Sequence, residues 1–154
     1  MDTLKIRQAR AADADVVPLI NKHFELMRAS SPEESCHVME PDALDREGAT
    51  VLVAELAGKV VAVGAWKEIA DSHAELKSMH TDQAARGRGI ARALLHALVA
   101  SAQSQGMARI SLETGTADLF APARTLYERE GFQACPPFAD YVEDPLSTFM
   151  TRTL

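Results

Sequence analysis

The stretch HAELKSMHTDQAARGRGIARALL, residues 73–95, holds a strand, a break in its alternation, a glycine-rich turn and the start of a helix. Ala74 and Leu76 share one face of the predicted strand HAELKSMHT, yet the next large apolar residue, Met79, has the opposite parity. One extra residue near Lys77 and Ser78 accounts for the change. A β-bulge inserts such a residue, and bulges gather beside active sites. Beyond it, RGRGIA opens a helix in which Ile90, Leu94, Leu95, Leu98 and Ala102 recur at helical spacing until Gln105 and Gly106 end the run. A strand followed by a glycine turn and a helix N-terminus is the geometry in which main-chain N–H groups and the helix macrodipole jointly bind phosphate. The turn is neither GxxxxGK[ST] nor GxGxxG. Taken alone it reads equally as a phosphate cradle and as a helix start with solvated arginines.

Working outward, Leu4, Ile6 and Gln8 alternate with Lys5 and Arg7 as a short first strand. The spacing of Val16, Leu19, Ile20, Phe24 and Met27 predicts a helix over 13–28, with Pro18 in its first turn. Residues 30–48 read as a turn-rich connection with room for a short helix, and such connections often carry specificity. TVLVAEL and KVVAVGAW, joined by Ala57-Gly58, predict a hairpin. Downstream, the pattern predicts a strand over 108–113, a helix over 119–130, a strand opening at Phe132, a loop over 136–145 and a closing strand over 146–154. This order implies an α/β architecture, a mixed sheet with helices on its faces.

The 154 residues match the usual size of a single domain, so one domain spanning 1–154 is expected. Hydrophobic residues at 47% and charged residues at 25% are ordinary for a globular chain. Sixteen Lys and Arg against 22 Asp and Glu leave a formal net charge of −6, a field that repels polyanions and argues against nucleic acid as a partner. MDTLKIRQAR lacks the apolar core of a signal peptide, and no apolar run approaches the roughly 20 residues that cross a bilayer. A cytoplasmic location without a membrane anchor is therefore expected. Cys36 and Cys135 have no CxxC spacing, and the five histidines form no HExxH pair, so no metal is expected.

Arg86-x-x-Gly89-x-Ala91, after a bulged strand and before a helix, resembles the R/Q-x-x-G-x-G/A signature of the GNAT superfamily of acyl-CoA-dependent N-acetyltransferases. Ala123-x-x-Leu126-Tyr127-x-x-x-Gly131-Phe132 is similar to that family's second signature and stands in the expected order. The tail PPFADYVEDPLSTFM resembles a subset of small bacterial members. The specific likeness covers His73 to Met150; residues 1–72 match only in their order of elements. Phe120 stands where many members carry an asparagine that touches the cofactor. The resemblance implies a GNAT fold, a mixed and mostly antiparallel sheet of about seven strands with helices on both faces and a bulged fourth strand.

It also implies roles. Acetyl-CoA would be the co-substrate, its pyrophosphate cradled by the main chain of Arg86, Gly87, Arg88, Gly89, Ile90 and Ala91. A main-chain N–H at Ser78 or Met79 would receive the thioester carbonyl as an oxyanion hole does. Tyr127 would give a proton to the departing thiolate, and it would also touch the cofactor. Glu75, whose strand passes the expected reaction centre, is the candidate base, with His80 a poorer rival and ordered water an alternative. Ser31 and His37 in the first connection, and Asp140 and Tyr141 in the late loop, are candidates for binding the acceptor. The acidic cluster Asp140, Glu143 and Asp144 reads equally as a field for a cationic amine and as a solvated loop. The implied activity is acetyl transfer to the amine of a small molecule, such as an amino acid. Protein N-termini or lysines are less favoured acceptors, and a non-catalytic acyl-CoA-binding sensor is the reading from another class. Dimers are common in the family, so a homodimer is among the implied states.

Overall fold

The computed structural model describes residues 3–30 and 40–154. The chain runs β1 (Lys5–Ala9), α1 (Val17–Ser30), α2 (Pro41–Arg46), β2 (Thr50–Leu56), β3 (Lys59–Ala70), β4 (His73–Thr81), α3 (Ile90–Ser104), β5 (Arg109–Gly115), α4 (Ala121–Arg129), β6 (Gln133–Ala134) and β7 (Ser147–Thr153). The strands form one sheet in the order β1-β2-β3-β4-β5-β7-β6. Every neighbouring pair is antiparallel except β4 and β5, which are parallel. No helix among the described residues is long and apolar enough to cross a membrane.

Local chemistry accounts for most of these elements. Ala57 and Gly58, with φ of 50° and 76°, make the two-residue left-handed turn that matches the twist of a hairpin. Along α3, Ile90, Leu94, Leu95, Leu98, Val99 and Ala102 are buried. That helix ends when Gly106 N–H and Met107 N–H return to the carbonyls of Gln103 and Ala102, both at 3.0 Å. Two apolar layers flank the sheet. On one face Leu19, Ile20 and Leu44 from α1 and α2 pack on Val51, Val53, Val63 and Ala65. On the other, α3 and α4 cover Trp66, Leu76, Ile110, Leu112 and Met150.

The expected bulge is present in β4. Val63 pairs with His80 but Ala65 pairs with Lys77, so two residues, Ser78 and Met79, oppose the single Gly64. Ser78 takes a φ of 58° to do so. Gly64 is needed by close approach, since a Cβ there would lie 2.5 Å from Met79 Sδ and 2.7 Å from Leu98 Cδ1.

Several boundaries differ from the pattern. β3 runs to Ala70 by pairing with β4 alone beyond Trp66, and β5 to Gly115 by pairing with β7 alone beyond Leu112. The helix expected over 119–130 begins only at Ala121. A tight 3-10 turn, Asp118–Phe120, precedes it and brings the Phe120 ring over Gly115, where a Cβ would lie 2.2 Å from the ring. The strand expected to open at Phe132 has two residues, Gln133 and Ala134, paired with Thr151 and Met150 of β7.

The pairing of β4 with β5 stops early. It runs from His73 with Arg109 to Leu76 with Leu112, after which β4 continues against β3 alone and β5 against β7 alone. The two central strands part there, and the sheet has a gap at its centre.

Candidate active site

The glycine turn comes first because its amides are set by the backbone. Before α3, Ala85 N–H donates to Asp82 O at 2.9 Å and Arg86 N–H to Gln83 O at 3.3 Å; the next such bond is Ala93 N–H to Gly89 O at 3.1 Å. The N–H groups of Gly87 to Arg92 have no acceptor among the described residues. The open set thus starts one residue later than the sequence suggests, since the Arg86 amide closes the preceding turn, and it reaches one residue further. Gly87 and Gly89 hold φ of 80° and 75°, conformations that L side chains rarely adopt. The three arginines differ. Arg86 Nε donates to Thr81 O at 3.3 Å, and Arg92 Nε to Glu130 Oε1 at 2.9 Å, where His96 also meets the same carboxylate. Arg88 is exposed and has no partner among the described residues.

A cavity of about 430 Å³ begins at this turn and passes into the gap between β4 and β5. Ser78 and Met79 line it at the bulge, and Phe120 and Tyr127 on the α3 side. Tyr127 is buried with its ring edge toward Phe132 at 5.6 Å between centroids. Its hydroxyl makes no hydrogen bond among the described residues, and burial pushes the phenol up, so it stays protonated at neutral pH.

Across the gap the lining turns polar. Glu75 is only 4% exposed, and its Oε2 accepts from Tyr141 Oη at 2.5 Å and from Lys77 Nζ at 3.2 Å. Lys77 Nζ also lies 3.2 Å from Tyr141 Oη. Burial and then the neighbouring Glu75 push the Tyr141 phenol well above its ordinary range. Tyr141 is positioned by Phe138 and Phe149, with ring centroids 5.2 and 5.6 Å away. The late loop is thereby pinned over β4, β5 and β7. Glu113, from β5, is a second carboxylate in the wall; burial raises it, while Ser147 and Lys77 pull it back. On the same side His23 and His80 meet edge to face at 5.5 Å. Burial and then His80 drive His23 down to about 3, and burial, Arg86 and Lys22 lower His80, so both rings are neutral.

The structure therefore gathers Glu75, Ser78, Met79, Arg86, Gly87, Gly89, Ile90, Ala91, Tyr127 and Tyr141 around one cavity. Arg88 stands at the turn outside its wall. Asp140 is exposed and does not line it. Ser31 and His37 lie outside the described residues. Lys77, Glu113 and His23 are wall residues that the sequence did not single out. For Glu113 a signal existed: Ser111 and Glu113 are polar positions on a strand expected to be covered on both faces, where apolar residues are the rule. For His23 there was none, since a histidine on a helix is ordinary.

The family model for the acetyltransferase (GNAT) family matches residues 17–132. An uncharacterized N-acetyltransferase of Bacillus subtilis (strain 168), YsnE, is 42% identical over 139 residues, covering 90% of this chain and 92% of that protein. A Klebsiella pneumoniae protein provisionally assigned as an acyl-CoA N-acyltransferase superimposes with a TM-score of 0.81 at 27% identity, over 99% of this chain and 98% of that one. The yncA protein of Salmonella typhimurium, provisionally assigned as an acetyltransferase and solved with its cofactor acetyl-CoA, shares the fold with a TM-score of 0.72 at 21% identity, over 97% and 93% of the two chains.

Proposed function

The chain belongs to the GNAT acetyltransferase family and is by that membership an acyltransferase; from this premise we propose that it moves an acetyl group from acetyl-CoA to the amine of a small molecule by direct attack. One observation carries the reading. A single cavity joins open helix-terminal amides on one face of the sheet to the carboxylates of Glu75 and Glu113 on the other, through the gap where β4 and β5 part. A thioester lodged in that gap is reached from both sides, so no acyl-enzyme is needed.

The residues fit such a co-substrate. The N–H groups of Gly87 to Arg92, with the macrodipole of α3, suit a diphosphate, and Arg88 adds mobile positive charge at the mouth. The bulge at Ser78 and Met79 offers a main-chain donor where negative charge grows on the thioester carbonyl. As the amine nitrogen bonds to the carbonyl carbon and the C–S bond breaks, the electron pair goes to sulfur, and Tyr127 supplies the proton that sulfur needs. Burial keeps the phenol protonated, so its proton is present when the sulfur departs. The acceptor's own proton leaves on the opposite side. Tyr141 Oη, already donating to Glu75, accepts from the incoming ammonium, so Glu75 acts as the base by way of Tyr141.

A panel of primary amines incubated with acetyl-CoA, with free thiol followed, tests the proposal. Thiol release with at least one amine is the expected result. Acetyl-CoA binding, seen as a thermal shift, without release for any amine would favour a non-catalytic acyl-CoA-binding module.

A further inference from the structure

Glu75 and Glu113 share one face of the sheet. Glu75 pairs with Ser111 across the parallel ladder, and Glu113 follows Ser111 by two residues on β5. Both carboxylates line the cavity, but their surroundings differ. Glu75 holds two donors, whereas Glu113 has no ion pair among the described residues. The Ser147 hydroxyl approaches Glu113 from β7 closely enough to favour its ionised form, yet that hydroxyl is buried and meets hydrogen-bond geometry with no described atom. Lys77, whose field reaches Glu113, is already engaged by Glu75 and Tyr141. Two carboxylates, Glu75 buried and Glu113 partly buried, thus share one lysine, and Glu113 has no ion pair of its own among the described residues. A buried charge in that condition is costly unless a partner completes it.

We infer that Glu113 seats the ammonium of the acceptor, so that the substrate itself brings the missing positive charge and the enzyme selects amines that arrive as cations over neutral nucleophiles of the same shape. The inference rests on the transferase reading above and divides the labour of its two carboxylates. Glu113 binds the cation, and Glu75 with Tyr141 draws off its proton. No bond is made or broken at Glu113; its role is to position.

Glu113→Gln keeps the shape and removes the charge. With primary amines that the wild type acetylates, the variant should show an amine KM raised about ten-fold or more, as loss of a partly buried charge partner does, while the KM for acetyl-CoA stays put. The pH profile adds a readout that a structural role would not move. Burial, Glu75 and Asp144 raise the Glu113 carboxyl above the ordinary carboxylate range, against the pull of Ser147 and Lys77. Only the ionised form holds an ammonium, so wild-type kcat/KM for the amine should fall as pH drops through that raised value. In the variant this limb should vanish. A measurement on the wild type alone guards against a variant that folds poorly: the quaternary trimethylammonium form of an accepted amine should inhibit competitively against the amine, and its neutral tert-butyl isostere should not. An unchanged amine KM with the acid limb intact, or equal inhibition by the isostere, overturns the assignment. Failure of the transferase reading looks different, since the wild type would then release no thiol from acetyl-CoA with any amine.

Discussion

The two faces of the sheet at β4 and β5 are built from opposite materials. Toward α3, Ala74, Leu76, Ile110 and Leu112 meet Leu94, Leu95, Leu98 and Met150, all buried and apolar. Toward the late loop stand His73, Glu75, Lys77, Ser111, Glu113 and Thr151. The polar face is held together by pairing: His73 Nε2 lies 2.7 Å from Ser111 Oγ, Ser111 Oγ lies 2.8 Å from Thr151 Oγ1, and Arg109 Nη1 donates to Thr151 at 3.0 Å. The apolar face is stabilised by removing surface from water, which needs only the right residue types. The polar face survives burial only where each group has a partner. Its pairing is complete at the His73 end and incomplete at the Glu113 end, and the incomplete end is the one that opens into the cavity. A central strand can therefore be polar on one face where its groups find partners, and its pairing lapses where the face opens into the cavity.

Four expected outcomes break or sharpen this contrast. Leu98→Ala on the apolar face should cost about 2–5 kcal/mol in urea unfolding, since Leu98 is fully buried and its Cδ1 packs where Gly64 leaves room; a cost below about 1 kcal/mol would mean that this face is not close-packed. Tyr127→Phe, at the seam between the faces, should lower kcat for acetyl transfer about a hundred-fold or more. Because the hydroxyl has no hydrogen bond to lose among the described residues, the melting temperature should hardly move. An equal rate across pH would remove Tyr127 as the acid. Ser111→Ala should cost about 1–3 kcal/mol, as the buried hydroxyl is the described partner of His73 Nε2 and one of the partners of Thr151. A neutral result in urea unfolding would show that water or repacking replaces the hydroxyl and would weaken the claim that pairing holds this face. Smallest is Arg88→Gln at the exposed turn, which should weaken acetyl-CoA binding only a few-fold, and less at high salt, because an exposed charge is screened. Titration at two ionic strengths checks it.

Much of the α3 side was legible from residue order. The helical spacing from Ile90 to Ala102, the parity slip between Leu76 and Met79, and the glycine turn all express geometry within about ten residues, and each appears where it was read. The polar end of the cavity was not. Glu75 was singled out because its strand resembles one that passes a reaction centre, but nothing near it in sequence shows Tyr141, 66 residues away, donating to its carboxylate. Asp140, Tyr141's neighbour, looked equivalent as a candidate and turned outward into solvent. Which of two adjacent loop residues faces the cavity depends on how Phe138 and Phe149 pack, and that has no local code.

By itself the amino-acid order determined most of the elements, the bulge and the glycine turn, because backbone conformation answers to period, glycine placement and side-chain shape over short range. Only the tertiary structure decided that β5 lies parallel to β4 and that β7 enters between β5 and β6. Those placements bring Glu113 within reach of Lys77, Glu75 and Ser147 and leave it without an ion pair among the described residues. Electrostatic energy depends on distance and burial, not on separation along the chain, so a carboxylate that looks ordinary on its own strand acquires its meaning from strands it has yet to meet.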